Sequence, residues 1–239
     1  MITITSLQNE KVKYWLKLKQ KKFRDSEGVY LVEGPHLVKE ALTSGLVREI
    51  ISLTEEDFPK TYVVTKEILK KLTSQMTPDT IFAVVYKKKE EEIKGPLLLL
   101  DGLQDPGNLG TIIRSACAFS FPNICLSSDT VDLYNEKVIR STEGMHFHCN
   151  IIRTDLEKLI LSLKEKGYRI YTTNVLKGNE LKEMTFPLQS AFIIGNEGKG
   201  VRKEISSLAT DYLHIKMNSS CESLNAGVCA SIIMYEFRR

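Results

Sequence analysis

Leu97 to Leu100 are four consecutive leucines that run directly into Asp101-Gly102 and then an Asp105-Pro106-Gly107 turn. A run so apolar and so short suits a strand buried on both faces, as in a parallel sheet, with the turn opening the crossover that parallel strands require. The pattern recurs. Strands are expected at 97–103 (LLLLDGL), 123–128 (NICLSS), 168–175 (YRIYTTNV), 191–196 (AFIIGN) and 212–217 (YLHIKM). Helices are expected between and after them, at about 108–120, 135–143, 154–166, 201–208 and 225–237. The fold class is therefore α/β, a parallel sheet with helices on both faces. Ligands of such sheets bind beyond the carboxyl ends of the strands.

Upstream lies a smaller α/β pattern. Asn9 is placed to cap a helix through about Lys22, with Val12, Trp15 and Leu16 on its buried face. Strands GVYLVEG, EIISL, YVVT and IFAVVY follow, with a helix from Pro35 to Gly45 and another from Lys66 to about Leu72. KKKEEEIKGP, from Lys87 to Pro96, has linker composition. The expected domains are 1–93 and 94–239.

A net charge of +3 does not by itself point to nucleic acid, but its distribution is uneven: seven cations and one anion fall between Glu10 and Arg24. Lys13, Lys17, Lys21 and Arg24 would form a stripe on one continuous helix. That stripe is either a solvated face or a contact for an RNA phosphate backbone. A 42% hydrophobic and 26% charged composition is that of a globular protein. No run reaches the roughly 18–20 apolar residues that span a bilayer, and no signal peptide is evident, so a cytoplasmic location without membrane contact is expected. The five cysteines are odd in number and form no C-x-x-C pair, which argues against disulfides and structural zinc. His146 and His148 lack a third ligand, so no metal is expected.

Three strand-end loops carry the chemistry. In DGLQDPGNLGTIIRSA, Asn108 is a candidate helix cap and Arg114 interrupts an otherwise small and apolar helix. In IIGNEGKG, three glycines within six residues imply left-handed backbone or close approach. Their spacing fits neither the dinucleotide fingerprint nor a P-loop. Glu197, among those glycines, needs a partner, and Arg114 would serve. In IKMNSSCESLN, Ser223 and Asn225 precede the last helix, where capping is the simplest role for either.

Taken together, N-L-G-x-x-x-R after Asp-Pro, then G-N-E-G-x-G, then I-x-M-x(5)-S-L-N resemble the ordered motifs of the SpoU/TrmH class of RNA ribose 2′-O-methyltransferases, in the SPOUT superfamily. STEGMHFH (Ser141–His148) resembles a further family segment. ITSLQNEKVKYWLKL and GVYLVEGPHLVKEAL resemble a small RNA-binding domain of ribosomal L30e type. The resemblance implies a trefoil-knotted C-terminal domain, S-adenosylmethionine as cofactor, a homodimer through that domain, and RNA as substrate. Ribosomal RNA is favoured by the appended domain, with tRNA or a non-catalytic ribosome-assembly role as alternatives. By match, Asn174, Ile194, Gly195, Asn196, Gly198, Gly200, Ile215, Met217, Ser223 and Leu224 would hold the cofactor. Arg114 would stabilise the developing alkoxide, and Asn108 and Asn225 would orient ribose and loop. Glu197 would fix Arg114 or a backbone donor, and Ser223 would cap the last helix. Lys216 stands where the family usually has proline.

Overall fold

The computed structural model describes residues 2–77, 79–174 and 178–238. Val175, at the end of an expected strand, lies outside the described residues, as does Arg239. Contacts divide the chain into two compact units: Met1–Lys89 with Asp132–Phe147, and Glu90–Val131 with His148–Arg239.

The first unit runs β1 (Ile2–Ile4), α1 (Glu10–Lys17), α2 (Lys21–Glu27), β2 (Val29–Glu33), α3 (Pro35–Thr43), β3 (Val47–Ser52), β4 (Thr61–Val64), α4 (Lys66–Leu72) and β5 (Ile81–Tyr86). Its five-stranded sheet has the order β1-β4-β3-β5-β2. Asn9 caps α1 by accepting from the Lys11 N–H, and Val12 and Trp15 are fully buried. The helix does not continue to Lys22. It stops at Lys17, and α2 starts afresh at Lys21, because Arg24 turns inward and donates from Nη1 to the Leu18 and Lys19 carbonyls at 2.9 and 2.7 Å. A continuous helix would have used both carbonyls internally.

One buried carboxylate organises this core. Glu49 on β3 accepts from Trp15 Nε1 at 2.7 Å and from Lys11 Nζ at 2.9 Å. Burial alone would raise the Glu49 pKa, but the hydrogen bonds from Trp15 and Lys11 outweigh it and hold the group below the usual carboxylate range.

The second unit opens with β6 (Leu97–Asp101), α5 (Pro106–Ala118) and β7 (Asn123–Leu126). The chain then returns to the first unit as α6 (Glu136–Ser141), where Ile139 and Phe147 join a buried cluster with Tyr30, Val32 and Leu37. Linker composition at 87–96 gives no hint of this return. His146, buried there, bonds Tyr30 Oη through Nε2 and Thr142 Oγ1 through Nδ1, both at 2.8 Å. Among the described residues no group of His, Cys, Asp and Glu is arranged to hold a metal ion.

β8 (Asn150–Arg153), α7 (Leu156–Glu165), β9 (Arg169–Thr173), β10 (Asn179–Glu180), β11 (Ser190–Gly195), α8 (Lys203–Ser206), β12 (Asp211–His214) and α9 (Ala226–Phe237) complete the second unit. Its seven-stranded sheet has the order β10-β12-β9-β11-β6-β7-β8, with parallel pairings throughout. The central strand β6 is wholly buried, as the leucine run requires. The α/β expectation is met; β8 and β10 are additional, each too short to stand out as an apolar run.

Candidate functional site

The carboxyl ends of β9, β11 and β12 and the approach to α9 surround one cavity of about 490 Å³. Asn174 follows β9, Ile194 and Gly195 end β11, and Asn196, Gly198 and Gly200 form the turn beyond it. Ile215 and Met217 follow β12, and Ser223 and Leu224 precede α9. All ten of these residues line the cavity. Its volume lies within the roughly 300–1,000 Å³ of small-molecule sites.

The glycine turn closes on itself. Asn196 N–H donates to the Gly200 carbonyl at 3.0 Å and Gly200 N–H to the Asn196 carbonyl at 2.9 Å. Asn196 Oδ1 also accepts from the Gly198 and Lys199 N–H groups, each at 3.0 Å. A Cβ on Gly195 would stand 2.2 Å from the backbone of Gly200 and Val201, so no other residue fits there without moving the turn.

The first loop holds this turn in place. Asp105, rather than Asn108, caps α5, because Pro106 supplies the first helical φ and starts the helix two residues earlier. Asn108 is thereby freed for the site. Its Nδ2 donates to Glu197 Oε1 at 3.0 Å, and its Oδ1 accepts from Asn225 Nδ2 at 2.7 Å. Glu197 also accepts from the Gln104 and Asp105 N–H groups at 3.2 and 3.0 Å. Its partners are therefore backbone and amide donors and not Arg114. Partial burial would raise the Glu197 pKa, but these hydrogen bonds, led by Asn108, hold it below its ordinary value.

Asn225 caps α9, accepting from the Gly227 and Val228 N–H groups at 2.9 and 3.2 Å. Ser223 lines the cavity but does not cap the helix; Asn225 already occupies that position.

Sequence reasoning missed the anchor at the end of β6. The Asp101 side chain is fully buried and accepts from the Arg202 N–H at 2.9 Å and from its Nε at 2.8 Å. Asn196 Nδ2 reaches the adjoining Gly102 carbonyl at 2.8 Å. Both ends of the glycine turn are thus moored on Asp101-Gly102. The signal was present, since a carboxylate closing an all-apolar strand needs a partner. Cys229, also missed, lines the cavity with its thiol pushed by burial up to about 11, a neutral apolar surface at physiological pH.

Arg114 stands apart. It is exposed on α5, does not line the cavity, and forms no hydrogen bond or ion pair among the described residues. In the first unit Lys13, Lys17 and Lys21 are exposed, Lys13 pairing with Glu10 at 2.8 Å and Lys21 with Asp25 at 2.6 Å. Arg24 does not belong to their surface: it is 7% exposed and paired with Asp132.

A model of the SpoU rRNA Methylase family matches residues 95–235, and a model of the MRM3-like substrate binding domain matches residues 9–83. The chain is 36% identical over 247 residues to the 23S rRNA (guanosine(2553)-2'-O)-methyltransferase RlmP of Bacillus subtilis, spanning 100% of both. Its fold matches an AdoMet-bound rRNA methyltransferase from Sinorhizobium meliloti with a TM-score of 0.89, at 25% identity over 99% of this chain and 97% of that one. An RNA 2'-O ribose methyltransferase structure gives 0.83 at 26% identity, covering 99% and 98%.

Proposed function

The chain belongs to the SpoU rRNA methylase family, and from that premise we propose how its residues divide the work of the reaction. It is an S-adenosylmethionine-dependent RNA ribose 2′-O-methyltransferase acting on ribosomal RNA. The observation that carries the assignment of its cofactor site is the convergence of ten residues from four separated segments on one cavity. The cavity suits S-adenosylmethionine: Ile194, Leu213, Ile215, Met217 and Leu224 offer apolar surface, and the turn at 194–200 offers backbone donors and acceptors. When bound, the cofactor supplies an electrophilic methyl group on a sulfonium.

The chain's own task is to align and activate a weak nucleophile. The cavity residues at 194–200, 215–217 and 223–224 would hold the cofactor so that its methyl group could pass to the hydroxyl oxygen, with the hydroxyl proton released to water and the former carbon–sulfur electron pair kept on sulfur. Arg114 carries a permanent cation suited to stabilising the negative charge that develops on that oxygen, and its guanidinium is a poor base. Asn108 bonds both Glu197 and Asn225, whose other bonds go to the backbone of the first loop and to the start of α9, so the role of the three is to hold the loops in register around the cavity. Ser223 supplies cavity wall.

Arg114 is supplied across a homodimer. The support is its exposure and its lack of partners on α5, together with the exposed apolar residues Val228 and Tyr235 on α9, which packs against α5. The first unit binds the RNA, with Lys13, Lys17 and Lys21 as backbone contacts. Its substrate-binding domain match supports this role. No helix among the described residues is long and apolar enough to cross a membrane, and the cytoplasm is the proposed site of action.

The full-length similarity to RlmP makes large-subunit ribosomal RNA the first substrate to test. Calorimetric titration with S-adenosylmethionine should give one site per chain, and ribosomal RNA from cells lacking the protein should accept a labelled methyl group on a ribose. Absence of both heat and transfer would return the chain to a non-catalytic RNA-binding role.

A further inference from the structure

Arg153, the last residue of β8, is a half-buried cation that does not line the cofactor cavity. Its Nη1 donates to the carbonyls of Ser127, Ser128 and Thr130 at 2.7, 3.1 and 2.7 Å, and its Nη2 to that of Val131 at 2.7 Å. Carbonyl oxygens that converge on one point repel one another. A planar guanidinium, with several N–H groups in a fixed fork, is the side chain that holds four of them together. The loop at 127–131 is therefore shaped by Arg153.

That loop in turn grips the first motif loop. The Ser127 N–H and the Thr130 hydroxyl each donate to the Leu100 carbonyl at 3.0 Å. Gly102 N–H donates to Ser127 Oγ at 2.8 Å, and the Ser127 hydroxyl donates onward to Asp129 Oδ1 at 2.6 Å. Val131 N–H reaches the Leu103 carbonyl at 2.8 Å, and Gln104 Nε2 reaches the Asp129 carbonyl at 2.7 Å. The fit is close: a Cβ on Gly102, whose φ is +70°, would stand 3.1 Å from Asp129 Oδ2. The same stretch also meets the glycine turn, since Gln104 N–H donates to Glu197 and the Gly102 carbonyl accepts from Asn196.

We propose that Arg153 is a positioning residue for methyl transfer: by fixing 127–131 it sets where the first motif loop, with Asn108 and the start of α5, stands against the glycine turn. The proposal rests on the methyl-transfer reading of the site. None of residues 100–131 lines the cofactor cavity, so the effect falls on turnover more than on cofactor affinity. A misplacement of about 1 Å in a group that aligns the reactants costs up to about a hundredfold in rate.

Arg153→Lys in the full-length protein tests it, because lysine keeps the charge but offers its donors from a single point. The variant should lower kcat for labelled-methyl transfer to ribosomal RNA about tenfold. KM for the RNA and the calorimetric Kd for S-adenosylmethionine should stay within about threefold. Amide hydrogen exchange at Gly102 and Gln104 should quicken about tenfold. Ser127→Ala removes the acceptor of the Gly102 N–H while sparing Arg153, and should act in the same direction. Because both act through one loop, the double variant should be about as slow as the worse single one. Ile160→Val, a stability control in the core of the same unit, should leave kcat unchanged. A kcat within twofold of wild type in Arg153→Lys overturns the proposal, and so do losses that multiply in the double variant. A fall in kcat matched by an equal loss of cofactor-binding sites also overturns it, since that is loss of folded protein only. If Arg153→Lys does not fold, Ser127→Ala decides by the same kcat and exchange criteria. Wild-type protein that transfers no methyl group refutes the methyltransferase reading, whereas active wild type whose kcat ignores these substitutions refutes the role of Arg153 alone.

Discussion

Arg114 lies outside the cavity and, unlike Asn108 of the same motif, bonds to none of the residues that line it, and its position sets a quantitative test. It lies six positions beyond Asn108 along α5. At about 1.5 Å per residue and 3.6 residues per turn, that places it about 9 Å further along the axis and roughly 120° around the helix. Asn108 meets Glu197 and Asn225 at the cavity, so Arg114 projects from another face of the same helix. If a partner protomer's cavity receives that guanidinium, two inactive variants should repair each other. Arg114→Ala keeps an intact cavity, and Gly195→Ala keeps the arginine but spoils the turn. Random reassociation of equal amounts makes about half the dimers mixed, each with one complete site, and so about a quarter of wild-type turnover. The assay is labelled-methyl transfer to ribosomal RNA after reversible dissociation, with differently tagged protomers to count the mixed dimers. A verified mixed population with no turnover above the parents would refute transfer of Arg114 across the interface, and a chain that sediments as a monomer would refute the interface itself.

Asn225→Asp should keep the α9 cap, since aspartate caps as well as asparagine, but it replaces the donor facing Asn108 Oδ1 with a carboxylate. Helicity by circular dichroism should hold while S-adenosylmethionine affinity falls about tenfold; unchanged affinity would reduce Asn225 to a cap. Gly195→Ala should abolish measurable cofactor binding in calorimetry, because the added Cβ lies 2.2 Å from backbone; binding within threefold of wild type would contradict the mooring of the turn. Glu49→Ala leaves Trp15 Nε1 buried without an acceptor and should cost about 3 kcal/mol in denaturant unfolding. Because folding lowers the Glu49 pKa, its contribution is full above the unfolded value of about 4.3 and is lost as pH falls through the folded value, so acid unfolding should be less steep in Glu49→Gln. Changing Lys13, Lys17 and Lys21 together to glutamine should reduce the slope of log affinity for single-stranded RNA against log salt by about 2; an unaltered slope would leave them as solvated charge.

What could be read from the sequence divides along physical lines. Buried parallel strands advertise themselves, because a run such as Leu97–Leu100 has no other stable place, and the turn chemistry of Asp105-Pro106-Gly107 and Gly34-Pro35 marks where helices begin. The residues that line the cavity were legible through motifs, since glycine at 195 reports a close backbone approach visible without coordinates. The continuous basic stripe was not, because helical periodicity says nothing about a break that one side chain enforces by capturing carbonyls, as Arg24 does. Nor was the return of Asp132–Phe147 to the first unit, which rests on long-range burial of Ile139 and Phe147 and leaves no compositional mark. Of the two partners expected for Glu197, Arg114 and a backbone donor, the structure has the second, because converging N–H and amide donors on a tight loop satisfy a carboxylate at lower desolvation cost than a cation would.

The two readings of Asn225, helix cap and site residue, are one set of bonds. Its carbonyl oxygen ends the orphan donors of α9, and its amide nitrogen crosses 117 positions of chain to Asn108, which in turn holds Glu197 over the glycine turn. Orientation of the amide is fixed by the cap, because only the oxygen can accept from the helix; the nitrogen is therefore left facing the first loop. A serine cap would satisfy α9 equally but would offer one rotating hydroxyl in place of a second, opposed polar atom. Capping alone thus does not explain asparagine here, whereas closing the cavity requires a side chain that accepts at one end and donates at the other.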